Sequence, residues 1–473
     1  MRSWIFAVGF ALVATACARH EPRPNIVVIV MDTARPDYLS VYGHPRPTTP
    51  FLDGFAATAT RYDRAYSTSC WTLPAHASLF SGEPNEVHRT AQANTQFPAE
   101  LPLLAQQLAD SGYQTAGFSN NPWISATTGL DRGFETFVDR WRPNVEAERS
   151  VGHPTVAAIS KWLGTQRDAE KPAFVFVNLT EPHMPYRPPW SSAEPFIATQ
   201  AEWRSALDEL FPPKTGASAL MVRHYARKEP LAPADWPRLS SLYEGDLRAC
   251  DDAVGRIVET LDASLDPANT LVFVLSDHGE NLGDHDHVNH VFNLYESNLR
   301  IALLARGPGF ERGAHEKRLV QITDLHPTIL RASGLDATGS LDALDLRGGL
   351  PTERVLRASL DWPKISLTVF PDEVSADGGP LDRYKRALSA AVTPRWKMIR
   401  GSDGTTVVYD LEADPDETTP IALQEAEPRI HAALEAFLDR TDHALPRSAG
   451  DGAADLPTDP ATLDALRALG YTR

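Results

Sequence analysis

The segment Asn25-Ile26-Val27-Val28-Ile29-Val30-Met31-Asp32-Thr33 is an unbroken apolar, mostly β-branched run that ends on a carboxylate. Such a run, without polar alternation, predicts a strand buried on both faces, as in a parallel sheet. Three further segments repeat the pattern: Gln114 to Phe118, Ala173 to Leu179 and Asn269 to Leu275. Helical patterns lie between them, including Leu101 to Ser111 and Leu242 to Leu261. Strands that alternate with helices predict an α/β fold with a mostly parallel sheet sandwiched by helices.

Polar residues directly follow three of these predicted strands. They are Asp32, Thr180-Glu181 and Ser276-Asp277. In open α/β sheets, ligands bind at the carboxyl ends of the strands, so we expect the chemistry at this edge of the sheet.

The overall composition limits the class of partner. The chain has 473 residues and a formal net charge of −17 at pH 7, with 42% hydrophobic and 23% charged residues. These values fit a globular protein with a sizeable core. The acidic balance argues against a nucleic-acid partner, because phosphate-backbone binding needs clustered Lys and Arg. The net charge does not exclude a small anionic substrate, because binding of such a substrate depends on the local electrostatic field of its pocket.

The N-terminus has the pattern of an export signal. Met1-Arg2-Ser3 precedes an apolar run from Trp4 to Val13, which is shorter than the ~20 residues of a membrane span. Ala14-Thr15-Ala16-Cys17 follows and is similar to a bacterial lipoprotein cleavage box. We therefore expect residues 1–17 to be a lipoprotein-type signal peptide and Cys17 to carry a lipid anchor at the periplasmic face of a membrane. Ala14 departs from the usual leucine of that box, so plain secretion is the alternative.

Three regions are expected after the signal: a catalytic domain over residues 24–350, a small C-terminal α+β subdomain over 351–445, and a tail over 446–473. In the subdomain, Arg395 to Arg400 and Thr405 to Tyr409 flank a Gly/Asp turn and predict an antiparallel hairpin. Pro428 to Leu438 predicts a helix with proline in its first turn. Ser448 to Pro460 is rich in Gly, Asp, Ala and Pro and predicts a loose segment.

Two strand ends supply candidate metal ligands. Asp32 ends the first strand, and Asp277 and His278 end a late one. Carboxylate oxygens suit hard divalent cations, and a histidine shifts the preference toward Zn²⁺ or Mn²⁺. Each acid alone is more often a helix N-cap. The histidine-rich stretch Asp284 to His290 favours a metal or anion site, with a solvated polar loop as the alternative.

A helix is predicted to begin near Thr72, since Pro74 lies near the start of an apolar run and Gly82 beyond its end. The Thr72 hydroxyl there could be a simple cap. It could also be a nucleophile, because free backbone N–H groups at a helix N-terminus favour an anion and a nearby cation activates a hydroxyl. Cys70 and Cys250 could form a bridge or remain two buried thiols, and the sequence leaves both open.

Several blocks, in order, resemble the sulfatase family of the alkaline-phosphatase-like superfamily over about residues 24 to 440. They are Pro24 to Arg35, Thr48 to Asp53, Ala77 to Gly82, Glu181 to Tyr186, Ser276 to His285 and Tyr409 to Thr418. The resemblance implies a metal-dependent ester hydrolase. It also implies that Asp32, Asp277 and His278 bind one divalent cation, which could be Ca²⁺, Mg²⁺, Mn²⁺ or Zn²⁺. Many members have a second acid where this chain has Thr33.

The nucleophile position departs from the family. The resemblance adds Thr72 to Asp32, Asp277 and His278 as the fourth residue around the cation. It also places Thr72 at the position where sulfatases convert a cysteine to formylglycine, within the motif Cys-x-Pro-x-Arg. Threonine cannot form formylglycine, and Cys70 lacks the required spacing, so we expect no formylglycine. His76 stands where the family has arginine.

The same comparison assigns the surrounding side chains. His76, His183 and His290 would act as catalytic groups that cover the substrate oxygens and the leaving group. Asn120 falls at a lysine position and is expected to bind substrate. A histidine cluster titrates near neutrality, so we expect activity to depend on pH.

These residues predict a hydrolase of sulfate or phosphate esters with Thr72 as nucleophile. The expected substrate is a small anionic ester or a sulfated or phosphorylated glycan or lipid. Two alternatives stay open: a phosphodiesterase or phosphotransferase on the same scaffold, and a binding-only relative without turnover.

Overall fold

The computed structural model of the chain describes residues 23–141, 153–212, 216–226, 230–337, 340, 342–371, 374, 378–421, 432, 434–436, 438–439 and 459–471. The predicted signal at residues 1–17, most of the predicted helix from Pro428 to Leu438 and most of the segment from Ser448 to Pro460 therefore lie outside the described residues. No helix in the described ranges is both long enough and apolar enough to span a membrane.

The main sheet has eight strands among the described residues. In chain order they are β1 (Asn25–Met31), β2 (Thr60–Tyr62), β3 (Gln114–Ser119), β4 (Thr136–Asp139), β5 (Ala173–Leu179), β6 (Thr270–Leu275), β7 (Leu303–Arg306) and β8 (His315–Glu316). Their spatial order is β8-β2-β7-β6-β1-β5-β3-β4. The run from β6 to β4 is parallel, and β7 joins it antiparallel. The predicted α/β class is confirmed.

The helices lie between and after these strands. They are α1 (Pro50–Ala56), α2 (Thr72–Ser81), α3 (Asn85–His88), α4 (Leu104–Asp110), α5 (Pro154–Thr165), α6 (Trp190–Ala193), α7 (Gln200–Leu210), α8 (Gly216–Tyr225), α9 (Asp235–Asp262), α10 (Glu296–Leu299), α11 (Leu325–Ala332), α12 (Lys364–Thr368) and α13 (Pro460–Ala468).

Strand β1 is buried on both faces, as its unbroken apolar run predicts. Val27, Ile29 and Met31 join one hydrophobic core, to which α9 contributes a long row of buried side chains. The alternating residues Ile26, Val28 and Val30 join a second core on the other face, shared with α2, α4 and α11. Alternation of side chains along a strand produces this split, so the sheet is covered by helices on both faces.

A smaller antiparallel sheet follows the main domain. It contains β9 (Leu356–Leu360), β10 (Leu388–Val392), β11 (Trp396–Gly401) and β12 (Thr406–Asp410), in that order. The predicted hairpin is confirmed by the pairing of β11 with β12, in which Ile399 lies opposite Val407. Helix α13 lies within the region designated as a tail, where Asp459 accepts from the Thr462 N–H and caps it.

Candidate active site

The carboxyl ends of β1, β3, β5 and β6 all supply residues to one buried cluster. Asp32 follows β1, Asn121 follows β3, His183 follows β5, and Asp277 and His278 follow β6. Neighbouring parallel strands end at the same edge of the sheet, so residues far apart in the sequence meet there. Adjacent pairing of β6, β1, β5 and β3 makes this convergence direct.

Asp32, Asp277 and His278 form a compact triad of potential ligands. One ligand atom from each lies within 4.8 Å of the other two, and all three side chains are buried. The His278 Nε2 atom is 3.4 Å from Asp277 Oδ2 and 3.9 Å from Asp32 Oδ1. The structure therefore brings together the three residues predicted to bind metal.

One oxygen of each carboxylate in the triad is held by amide donors. Asn121 Nδ2 donates to Asp32 Oδ2 at 2.8 Å. The backbone N–H groups of Thr33 and His278 donate to Asp277 Oδ1 at 3.1 and 2.9 Å. Thr33 thus supports the site through its backbone, at a φ of 60°, instead of supplying an acid.

The other two carboxylate oxygens fit a cation. Asp32 Oδ1 and Asp277 Oδ2 are buried and receive no hydrogen bond from the described residues. Two buried carboxylates this close are costly without a compensating charge. Two carboxylates and one imidazole form a donor set suited to a divalent cation, so the residues present fit the metal that the sequence predicts.

The pKa values of the two acids of the triad shift in opposite directions. Burial and the adjacent Asp32 charge raise the pKa of Asp277 well above its usual value. Burial also raises the pKa of Asp32, but the imidazoles of His183 and His278 and the Asn121 amide outweigh it, so that the pKa is lowered. Like charges in one buried site push two pKa values apart in this way.

Thr72 lies at the first position of α2, directly beside the triad. Its Oγ1 atom is 3.4 Å from His278 Nε2 and 3.3 Å from the Asn121 amide nitrogen. Trp71, the residue before the helix, provides no side-chain cap, and Gly82 ends the helix in the left-handed conformation. The helix predicted from Pro74 and Gly82 is confirmed, and its positive end faces the site.

Cys70 lies in the core rather than in the site. It is fully buried in the second hydrophobic core, and burial raises the pKa of its thiol. Cys250 is buried in the first core, and the two thiols are unpaired. The possible bridge between them is therefore not formed.

His76 lies one helical turn after Thr72 and approaches Asp277 of the triad. Its Nδ1 donates to the Thr72 carbonyl at 2.9 Å and lies 3.5 Å from Asp277 Oδ2. Its ring packs edge-on against Phe80 and Phe176. Burial lowers the pKa of His76 to about 4.

His183 and His290 lie beside each other, with ring centroids 5.0 Å apart. His183 Nδ1 donates to the Met184 carbonyl at 2.6 Å, and His290 Nδ1 lies 3.3 Å from Glu280 Oε1. Both Nε2 atoms face one hydroxyl, that of Tyr471, at 2.9 and 3.3 Å. Burial lowers the pKa of His290, and also that of His278, well below neutrality. The lowered pKa values of His76 and His290 do not fit the titration near neutrality that was expected of the catalytic histidine cluster.

The histidine-rich stretch divides between the site and the rest of the fold. Asp284 pairs with Arg35 at 2.5 Å, and His285 stacks on Tyr295 at 3.7 Å. In the contacts described, His290 is the histidine of this stretch that reaches the Thr72 environment.

Asn120, which is predicted to bind substrate, and its neighbour Asn121 differ in their contacts with the triad. The Asn120 amide oxygen accepts from Thr155 Oγ1 at 3.1 Å, and its described contacts do not reach the triad. Its neighbour Asn121 contacts Asp32 and Thr72 instead. The sequence does place polar residues at the carboxyl end of β3, which is a signal for a site residue there. It does not determine whether the Asn120 or the Asn121 side chain faces the site. Substrate binding by Asn120 stays a prediction.

Tyr471 is the second residue that the sequence did not predict. Its hydroxyl is 3.1 Å from Thr72 Oγ1, although the two residues are 399 positions apart in the chain. The sequence around Tyr471 contains the start and stop signals of a helix. Asp459-Pro460 starts the helix and Gly470 ends it. No local pattern indicates where such a helix docks.

Comparison with known proteins identifies the family of the chain. The family model described as Sulfatase matches residues 24–335. The choline-sulfatase of Rhizobium meliloti (strain 1021) is 25% identical over 88% of this chain and 86% of its own length. Arylsulfatase K of Canis lupus familiaris is 25% identical over 84% of this chain and 79% of its own length.

Solved structures share the fold. Phosphonate monoester hydrolase of Agrobacterium radiobacter superposes with a TM-score of 0.68 at 20% identity, over 89% of this chain and 95% of that one. A protein solved with its substrate D-glucosamine-2-N,6-O-disulfate gives a TM-score of 0.69 at 18% identity, over 89% and 97%. The family match covers more than half of the chain and contains the triad, helix α2 with Thr72, and both His183 and His290. The chain is a member of the sulfatase family.

Proposed function

We propose that the protein hydrolyses sulfate or phosphate esters with unmodified Thr72 as nucleophile and one divalent cation held by Asp32, Asp277, His278 and Thr72. The observation that carries the proposal is the position of Thr72 Oγ1. It lies 3.4 Å from a triad imidazole, beside two buried carboxylate oxygens that receive no hydrogen bond from the described residues. A bound cation would lower the pKa of the hydroxyl and favour negative charge on a substrate oxygen.

The first step forms a bond between Thr72 Oγ1 and the sulfur or phosphorus of the ester. The bond from that atom to the leaving-group oxygen breaks, and the oxygen must gain a proton. The Thr72 hydroxyl loses its own proton in the same step. We assign this proton transfer to His183. Its Nδ1 donates to the Met184 carbonyl, so its Nε2, which faces the space beside Thr72, would accept the Thr72 proton and pass it to the leaving-group oxygen. His290 faces the same space and would hydrogen-bond the transferred group.

The second step must return Thr72 to its resting form. A formylglycine adduct releases sulfate through its second hydroxyl, whereas a threonine ester has no such exit. Water must therefore attack the sulfur or phosphorus, and the bond to Thr72 Oγ1 breaks with return of a proton to that oxygen. This requirement favours phosphate, since a phosphoryl group carries more negative charge and gains more from a polarising site.

A substrate panel tests the proposal. Aryl sulfate, phosphate monoester and phosphodiester substrates with one shared phenol are assayed with Ca²⁺, Mg²⁺, Mn²⁺ and Zn²⁺. We expect kcat/KM for a phosphoester at least equal to that for the sulfate ester. A strong preference for the sulfate ester would contradict the mechanism, and best turnover of the phosphodiester would select the phosphodiesterase alternative. Turnover of none would identify a binding-only relative.

We also propose that the protein is exported and lipid-anchored through Cys17, which lies outside the described residues. The support is the apolar run that ends in Ala14-Thr15-Ala16-Cys17. A radiolabelled lipid precursor should label the wild type and not Cys17→Ala. Absence of label from both proteins would contradict the anchor.

A further inference from the structure

Helix α13 and the two residues after Leu469 place an aromatic side chain in the active site. The helix ends in a Schellman motif: the Gly470 N–H donates to Arg467 O at 3.0 Å and the Tyr471 N–H to Leu466 O at 2.9 Å. Gly470 has a φ of 82°, which a side chain disfavours. This turn sets the direction in which Tyr471 leaves the helix.

The Tyr471 side chain contacts the groups assigned to the reaction. Its hydroxyl lies 3.1 Å from Thr72 Oγ1, 2.9 Å from His183 Nε2 and 3.3 Å from His290 Nε2. Its ring packs edge-on against Trp123, with centroids 5.7 Å apart. A phenol held in this way resembles the oxygen and ring of an ester bound at the nucleophile.

The position of this hydroxyl is incompatible with a bound substrate. The attacked atom must approach its nucleophile to about 3–3.5 Å before reaction. The Tyr471 oxygen already lies at 3.1 Å from Thr72 Oγ1, so it takes the volume that the sulfur or phosphorus and its oxygens need. Substrate and Tyr471 cannot both occupy this place.

The site is also closed to solvent in this arrangement. Thr72 and His290 are 0% exposed, His183 is 2% exposed and Tyr471 is 5% exposed. The closing segment has a small apolar anchor: Leu466 is the fully buried apolar side chain of α13, where Thr462 is also fully buried, and Tyr471 is the next apolar side chain in order of burial. Segments with few buried apolar contacts open at low free-energy cost.

We propose that the segment from Asp459 to Tyr471 is an autoinhibitory element, in which Tyr471 competes with the ester for the position beside Thr72. The inference rests on the proposed function for the identity of the ester site. The segment must withdraw before substrate binds. The free energy of this withdrawal therefore weakens the apparent affinity for any anion at this site.

Anion binding tests the element without requiring turnover. Calorimetry with inorganic phosphate is carried out on the cation-loaded wild type, Tyr471→Ala, Tyr471→Phe and Arg467→Ala. We expect Tyr471→Ala to bind phosphate at least about tenfold more tightly, because the tethered competitor is gone. Tyr471→Phe, which keeps the ring and loses the three hydroxyl contacts, should gain less. Arg467→Ala, an exposed change on the same helix, should match the wild type.

Hydrogen exchange gives a second readout on the unmodified protein. Saturating phosphate should accelerate exchange of the amides of α13 and Tyr471, because the anion displaces the segment. Slower exchange would show that Tyr471 closes over the anion as a binding group, which overturns the proposal. So would an unchanged or weaker phosphate affinity in Tyr471→Ala.

The two proposals fail separately. If no ester is turned over but phosphate binding rises in Tyr471→Ala, the autoinhibitory contact stands and the proposed chemistry falls. If turnover is found and Tyr471→Ala lowers kcat without tighter phosphate binding, the chemistry stands and Tyr471 belongs to the catalytic groups instead.

Discussion

Thr72→Ala is expected to lower ester turnover by at least about 1,000-fold, because it removes the oxygen that forms the covalent intermediate in the proposed mechanism. Its fold should persist, since the side chain adds only a hydroxyl and a methyl group to the start of α2. Thr72→Ser should retain part of the activity, because it restores the oxygen and loses only the methyl group. The measurement is kcat/KM on the best substrate of the panel, at matched cation occupancy.

A matched control separates chemistry from stability. Thr68 is also buried, and its hydroxyl donates to Ser78 Oγ at 2.8 Å, on the core side of the same segment. Thr68→Ala should cost roughly 1 kcal/mol of unfolding free energy and leave kcat/KM within a few-fold of the wild type. Equal losses in the two variants would show that Thr72 acts through folding, and full activity in Thr72→Ala would remove it from the mechanism.

Asp277→Ala is expected to reduce bound divalent metal to near zero while the fold persists. Asp277 supplies one of the two carboxylate oxygens that no described donor satisfies, and loss of it leaves too few charged ligands for a buried cation. Elemental analysis after exhaustive desalting measures the loss. Turnover should fall in parallel, since the cation activates Thr72.

The chain offers a second buried acid as the control for metal loss. Asp251 accepts from the Phe51 and Leu52 N–H groups at 2.7 and 3.0 Å, at the start of α1. Asp251→Ala should lose stability, because it uncaps that helix, and should keep its metal. Full metal occupancy in Asp277→Ala, or equal loss in both variants, would contradict the assignment of the triad.

The parts of the site that the sequence predicted share one physical origin. Asp32 and Asp277 each end a strand whose apolar run is visible in the sequence, and parallel pairing brings strand ends together. The start of α2 at Thr72 was predictable because Pro74 and Gly82 mark its two ends. These features depend on local pattern and on one general rule of sheet topology.

The parts that the sequence missed depend on orientation and docking. Whether Asn120 or Asn121 faces the site is set by a turn after β3, which the residue types leave open. The pKa values of His76 and His290 follow from complete burial, which depends on all the surrounding packing. The contact of Tyr471 with Thr72 joins residues 399 positions apart in the chain, and no periodicity encodes it.

The covalent state of residues Ser67 to Phe80 tests the central claim most directly. Peptide mass spectrometry is carried out on the resting protein and on protein quenched in acid during turnover. We predict unmodified Cys70 and Thr72 at rest, and a sulfo or phospho group on Thr72 in the quenched sample. An aldehyde at Cys70, or a transferred group on any residue other than Thr72, would contradict the account.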